Sequence, residues 1–192
     1  VGVRQWSTYL GGADEDVMNG VSVGAYSRVY VTGVSDSPTR IATTDATYPT
    51  IAGGSDAFIN SFSSGGSRLW GTYYGGSGYD GAFTLDVDGL EVAIAGITGS
   101  TTDIATPGTF QTTASVSSGN YAKYVATFTA PLFLMMNGQN PTTEQEVMRV
   151  NSDADGFSLH LPVGIRDAGD EQVTIHVLDA MGRVVLSQKV ST

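Results

Sequence analysis

Arg4-Gln5-Trp6-Ser7-Thr8-Tyr9-Leu10-Gly11-Gly12 returns sixty-four residues later as Arg68-Leu69-Trp70-Gly71-Thr72-Tyr73-Tyr74-Gly75-Gly76. Three more blocks follow in the same order at nearly the same offset. Val29-Tyr30-Val31-Thr32-Gly33 is matched by Val92-Ala93-Ile94-Ala95-Gly96, and Ile41-Ala42-Thr43 by Ile104-Ala105-Thr106. Asp56-Ala57-Phe58-Ile59-Asn60-Ser61-Phe62 has a looser echo in Ala122-Lys123-Tyr124-Val125-Ala126-Thr127-Phe128. Four ordered matches make this a tandem repeat, with copies at residues 1–67 and 68–130.

Each copy reads as four short strands. The first carries Trp-x-Thr-Tyr and stops at a Gly-Gly turn. The second is expected near residues 19–23 and 82–86, the third near 29–32 and 92–95, and the fourth near 57–62 and 123–128. Phe58 and Phe62 fall at even spacing, which puts them on one face of a strand. Gly, Asn, Asp and Ser separate the strands. The polar stretch 35–55, which holds Pro38 and Pro49, is expected to be a loop that returns the chain across the unit. Four strands at a period of this length is the arithmetic of a propeller blade.

Composition agrees with an all-β chain. It has 192 residues, 25 of them Gly, and only 15% are charged, against about a quarter in an ordinary domain. The net charge of −10 repels phosphate backbones and anionic lipid, so a nucleic-acid partner is not expected. No cysteine is present, which excludes disulfides, thiolate metal sites and a cysteine nucleophile. The longest apolar run, at residues 131–136, is far too short to cross a bilayer. No signal peptide stands at Val1, so an exported form is expected to be mature or a piece of a longer protein.

The pattern Trp-x-Thr-Tyr-x-Gly-Gly, Val-Tyr-Val-Thr-Gly, Ile-Ala-Thr and Gly53-Gly54-Ser55-Asp56-Ala57-Phe58 resembles the SBBP-type bacterial β-propeller repeat over Val1 to about Ala130. The second copy departs from it, with Ser118-Gly119-Asn120-Tyr121-Ala122-Lys123 in place of the last block. The resemblance implies an extracellular or outer-surface bacterial protein and no chemistry. A closed propeller takes roughly four to eight blades. Two copies therefore imply a piece of a longer array, a compact sandwich of two units, or completion by neighbouring chains.

Composition shifts near Pro131. Residues 146–150, 157–161, 173–178 and 183–190 read as strands, with Asp179-Ala180-Met181-Gly182 as a tight hairpin turn. Asn140-Pro141, Phe157-Ser158-Leu159-His160-Leu161 and Val173-Thr174-Ile175-His176-Val177-Leu178-Asp179-Ala180-Met181-Gly182-Arg183-Val184-Val185 resemble the C-terminal sorting domain of type IX secretion substrates, over about residues 137–192. That family pattern continues with a Gly-Tyr-containing strand and a basic end, and this chain stops at Thr192 without them. The resemblance implies export and surface attachment.

The candidate chemistry is sparse. Asn151, Asp153 and Asp155, followed by Gly156, have the alternating oxygen ligands that open a calcium loop, but Pro162 stands where a closing Glu is needed. Calcium is thus the one candidate cofactor, against a plain polar turn. Asp14, Glu15, Asp16 and Asp80 in the Gly-Gly loops read first as turn acids. His160 and His176 have no carboxylate at a fixed spacing, and no Gly-x-Ser-x-Gly elbow exists. Trp6, Trp70, Tyr9, Tyr73 and Tyr74 suit sugar stacking, but their equivalence between copies favours core packing, with Tyr74 the member expected to be most exposed.

The sequence thus predicts an all-β chain with two propeller-blade-like four-stranded repeats (residues 1–130) and a C-terminal β-sandwich-like, sorting-like module (residues 131–192). It predicts no enzyme. The expected role is a structural or adhesive surface protein that self-associates through open β edges or joins other repeats of a larger surface protein. The alternative is a glycan- or calcium-dependent binding module.

Overall fold

A computed structural model of the chain describes residues 1–114, 119–134, 148–153, 156–160, 172–178 and 184–191. The architecture is all-β, with antiparallel sheets and one short 3-10 turn at Ala25–Ser27. The chain divides into two compact units, Val1–Ala130 and Pro131–Thr192.

In the first unit β1 (Asp16–Val23), β2 (Val29–Ser35), β3 (Asp56–Phe62) and β4 (Arg68–Tyr74) form one sheet in that order. A second sheet holds β5 (Asp80–Asp88), β6 (Glu91–Thr98) and β7 (Ala122–Thr129). The expected second, third and fourth strands of each copy are all present. The first strand is not where the sequence copies put it. Arg68–Tyr74 belongs to the sheet of the preceding copy, opposite β3. Its counterpart at residues 4–10 lies in no strand. Four strands and three, not four and four, make up the two sheets.

The two sheets share a device. Met18 faces Gly33 and Gly20 faces Thr32, so Asn19 is an extra residue in β1. Ala82 faces Gly96 and Thr84 faces Ala95, so Phe83 is extra in β5. Each is a β-bulge, which bends and twists its strand. The bulged strands meet where Asn19 Nδ2 donates to the Ala82 carbonyl at 2.9 Å. The Asp80 amide donates to the Ser55 carbonyl at 2.8 Å, and Ser55 and Tyr79 form a parallel bridge, so the sheets are tied at a second point.

The core lies under the first sheet. Val31, Ile41, Phe58, Phe62 and Tyr73 are buried together, flanked by Trp6, Leu10, Val29, Ala42 and Ile51. All seven residues of β3, which is paired on both sides, are buried. The loop 36–55 supplies Ile41 and then runs along the outer edge of β4. The Thr43 amide donates to the Gly71 carbonyl at 2.8 Å, and the Tyr73 amide to the Tyr48 carbonyl at 3.1 Å. A loop laid along an outer strand in this way covers an edge that would otherwise recruit another strand.

Burial holds several phenols neutral. The Tyr73 and Tyr74 hydroxyls are each pushed up to about 12, mainly by burial. Nearby Asp16 and Asp56 add to this at Tyr73, and Tyr48 and Asp80 at Tyr74. Burial also raises Tyr124. An unfolded tyrosine ionises near pH 10. The folded state therefore binds these protons more tightly, and their stabilising contribution is intact below about pH 10 and is lost as pH rises through about 12. Tyrosinate absorbance during alkaline titration should show a fast exposed class, with Tyr73, Tyr74 and Tyr124 ionising only as circular dichroism reports unfolding. Titration of all nine tyrosines near pH 10 with the fold intact would contradict this.

In the second unit β8 (Leu132–Leu134), β9 (Met148–Asp153) and β10 (Gly156–His160) form a sheet ordered β10-β9-β8. β11 (Gln172–Leu178) pairs with β12 (Val184–Ser191). The expected turn at residues 179–182 lies outside the described residues, as do Asn140-Pro141.

Candidate functional site

The residues that sequence reasoning marked for chemistry are dispersed. Asn151 and Asp153 stand on β9 opposite Ser158 and Gly156, and Asp155 lies outside the described residues. His160 is on β10 opposite Arg149, and His176 is on β11 opposite Ser187, so they belong to different sheets. Among the described residues, no three His, Asp or Glu side chains gather as a metal site requires.

Two acids of the Gly-Gly loops, Asp16 and Asp80, accept hydrogen bonds within their turns. Asp16 accepts from the Gly12 amide (2.8 Å), the Ser35 hydroxyl (2.5 Å) and the Ser37 hydroxyl (2.8 Å). Asp80 accepts from the Gly76 amide (2.8 Å) and the Ser100 hydroxyl (2.7 Å). Asp56 closes the turn at Gly53-Gly54, accepting from the Ala52 and Gly53 amides. Burial pushes the Asp56 carboxyl up, those two amides hold it down, and the charge of Asp80 raises it further. The serine partners, about twenty residues away in sequence, carry no local signal that would have marked them.

The aromatic residues divide sharply. Trp70, Tyr73 and Tyr74 are buried, which corrects the expectation that Tyr74 is the exposed member. Tyr74 lies edge-on to Tyr124 (5.3 Å) and Phe128 (5.2 Å), and its hydroxyl donates to the Ile104 carbonyl at 2.5 Å. It joins the two sheets, a role its counterpart Leu10 does not have. The exposed member is Tyr9, whose side chain is fully in solvent. Trp6 is half-buried against Phe62.

β7 is one of the outer strands of the first unit. β7 pairs with β6 from Glu91 opposite Thr129 to Thr98 opposite Ala122. Among the described residues, no strand pairs with its other side. Its counterpart β3 is buried throughout, but β7 exposes Lys123, Val125, Thr127 and Thr129, with Val125 at 75%. The covering loop stands open as well. Ile41 and Thr43 are buried over β4, but Ile104 is only half-buried, Thr106 is exposed, and Phe110 is fully in solvent. An unpaired row of amides and carbonyls beside exposed valine is the chemistry of strand addition.

Comparison with known families finds no family model that matches the chain, and no curated protein matches it.

Proposed function

We propose that this chain is a non-catalytic structural or adhesive protein of the bacterial outer surface that self-assembles through open β edges. One observation carries this reading: β7 leaves a strand edge unpaired among the described residues, with Val125 exposed on it. The 41–48 loop covers the outer edge of β4, whereas β7 carries Lys123 as its one blocking charge. The sequence resemblance to bacterial surface repeats and to a secretion-sorting tail supports the location.

Sedimentation velocity and electron microscopy over a range of concentrations test the reading. Species that grow with concentration into multimers or filaments are expected. A monomer at every concentration would overturn it.

A further inference from the structure

The repeat supplies a strand that fits the open edge. Residues 4–10 are the counterpart of β4, and β4 completes the first sheet by pairing with β3. We infer that residues 4–10 of one copy of this chain add as the fourth strand to β7 of a second copy, in the register of β3 and β4. This inference rests on the self-assembly reading and names the contact.

The β3–β4 register, carried over by the repeat, sets the pairs. Phe58 opposite Tyr73 becomes Tyr124 opposite Tyr9, and Ile59 opposite Thr72 becomes Val125 opposite Thr8. Ser61 opposite Trp70 becomes Thr127 opposite Trp6. Each of these three pairs keeps its chemical type, as does Phe62 opposite Arg68, which becomes Phe128 opposite Arg4, whereas Ala57 opposite Tyr74 becomes Lys123 opposite Leu10. The pair of Asn60 and Gly71 exchanges large for small. A Cβ on Gly71 would strike the Asn60 side chain and come within 2.5 Å of the Ile41 carbonyl oxygen. The equivalent pair is Ser7 opposite the much smaller Ala126, and the equivalent carbonyl belongs to the open loop at Ile104.

The receiving slot is already shaped. Arg40 and Asp103, equivalent in the two loops, have the same left-handed backbone, with φ of 70° and 67°. Ala46 donates to the Thr43 carbonyl at 3.1 Å, and its equivalent Thr109 to Thr106 at 3.2 Å. The loop that clamps β4 is therefore repeated in the same form beside β7, with no strand beneath it among the described residues. Two polar contacts carry over. Tyr73 donates its hydroxyl to the Ser37 carbonyl at 2.6 Å, and the equivalent acceptor for the fully exposed Tyr9 is the Ser100 carbonyl. Arg68 donates to the Arg40 carbonyl at 2.6 Å, so Arg4 would meet the position of Asp103, which adds an opposite charge.

The contact is head-to-tail. A chain that donates residues 4–10 keeps its own β7 open, and a chain that receives them keeps its own donor segment. Such an interface is heterologous, and it propagates as an open chain unless the rotation between copies closes it into a ring.

The native chain has no cysteine, so cross-linking is clean. Thr8 and Val125 are both exposed, and substitution there spares the core. Directly opposite residues place their Cβ atoms about 5 Å apart, close enough for a disulfide after slight adjustment. The double variant Thr8→Cys/Val125→Cys should give a ladder of covalent multimers under mild oxidation. The pairing of Thr8→Cys with Val21→Cys, on the exposed edge strand β1, should give none. Multimers by sedimentation without the selective ladder would overturn the strand-addition inference and leave self-assembly standing. Absence of both multimers and ladder would overturn both.

Discussion

Gly33→Ala is expected to destabilise the first unit by about 3 kcal/mol and to lower its Tm by roughly 10 °C. The cause is a backbone obstacle. A Cβ at position 33 would sit on the Val17 carbonyl oxygen, with the Val17 carbonyl carbon at 2.9 Å and the Met18 Cα at 3.0 Å. A flexible side chain could move aside, but here the obstacle is the bulged strand itself. Relief requires flattening the bulge at Asn19, and that withdraws the Asn19 amide from the Ala82 carbonyl on the second sheet. The loss therefore spreads from one strand pair to the contact between sheets. Gly96→Ala should behave alike, since its Cβ would sit on the Gly81 carbonyl oxygen at the equivalent bulge. Gly54→Ala is the control. Its Cβ would meet nothing within 4 Å, and the change should be within about 0.5 kcal/mol of wild type. Thermal and urea unfolding of the three variants decide the matter, and a Gly33→Ala protein as stable as Gly54→Ala would show that the bulge is not what requires the glycine.

These glycines show how much of the fold the sequence carries. Val-Tyr-Val-Thr-Gly and Val-Ala-Ile-Ala-Gly are legible as equivalent strands because β-branched residues alternate and the blocks recur. The reason both end in glycine is a contact with a strand about fifteen residues earlier, and no local pattern encodes it. The same limit governs the block that opens each copy. Its recurrence reveals that residues 4–10 and 68–74 are equivalent, but equivalence names no partner. A strand can complete its own sheet or a neighbour's, and Arg68–Tyr74 completes the sheet before it. Tyr74 illustrates the consequence. Compared with Leu10 by position alone, it reads as a surface substitution. Its surroundings are those of a paired strand between two sheets, so it is buried at 5% exposure while Tyr9 stands in solvent. The candidate edge was legible only as a count, two copies where closure needs more. The register, the covering loop and the donor segment come from pairing.

Asp80→Ala is expected to cost about 3 kcal/mol, more than Asp16→Ala, although the two acids close equivalent Gly-Gly turns. Asp80 is fully buried, and its carboxylate accepts from the Gly76 amide and the Ser100 hydroxyl. Ser100 in turn accepts from the Gly78 amide at 2.8 Å, so removing the carboxylate releases a small buried network. Buried donors left without acceptors lose their hydration as well as their bonds. Asp16 is only half-buried, and water can replace its oxygens, so about 1 kcal/mol is expected there. Asp80→Asn separates hydrogen bonding from charge. It keeps one acceptor oxygen and removes a negative charge, so it should cost less than the alanine and lower the Asp56 carboxyl only slightly, since burial is the larger cause that raises it. The same series tests whether these acids act as turn acids or as cation ligands. If they serve the turn, stability is indifferent to EDTA and the asparagine variant is mild. If they held calcium, EDTA would lower the Tm of the wild type, and the alanine variant would lose that EDTA sensitivity with the ligand. The hydrogen bonds to Gly76 and Ser100 occupy one carboxylate oxygen of Asp80 in the manner of a capped turn, and on that geometry the first outcome is expected.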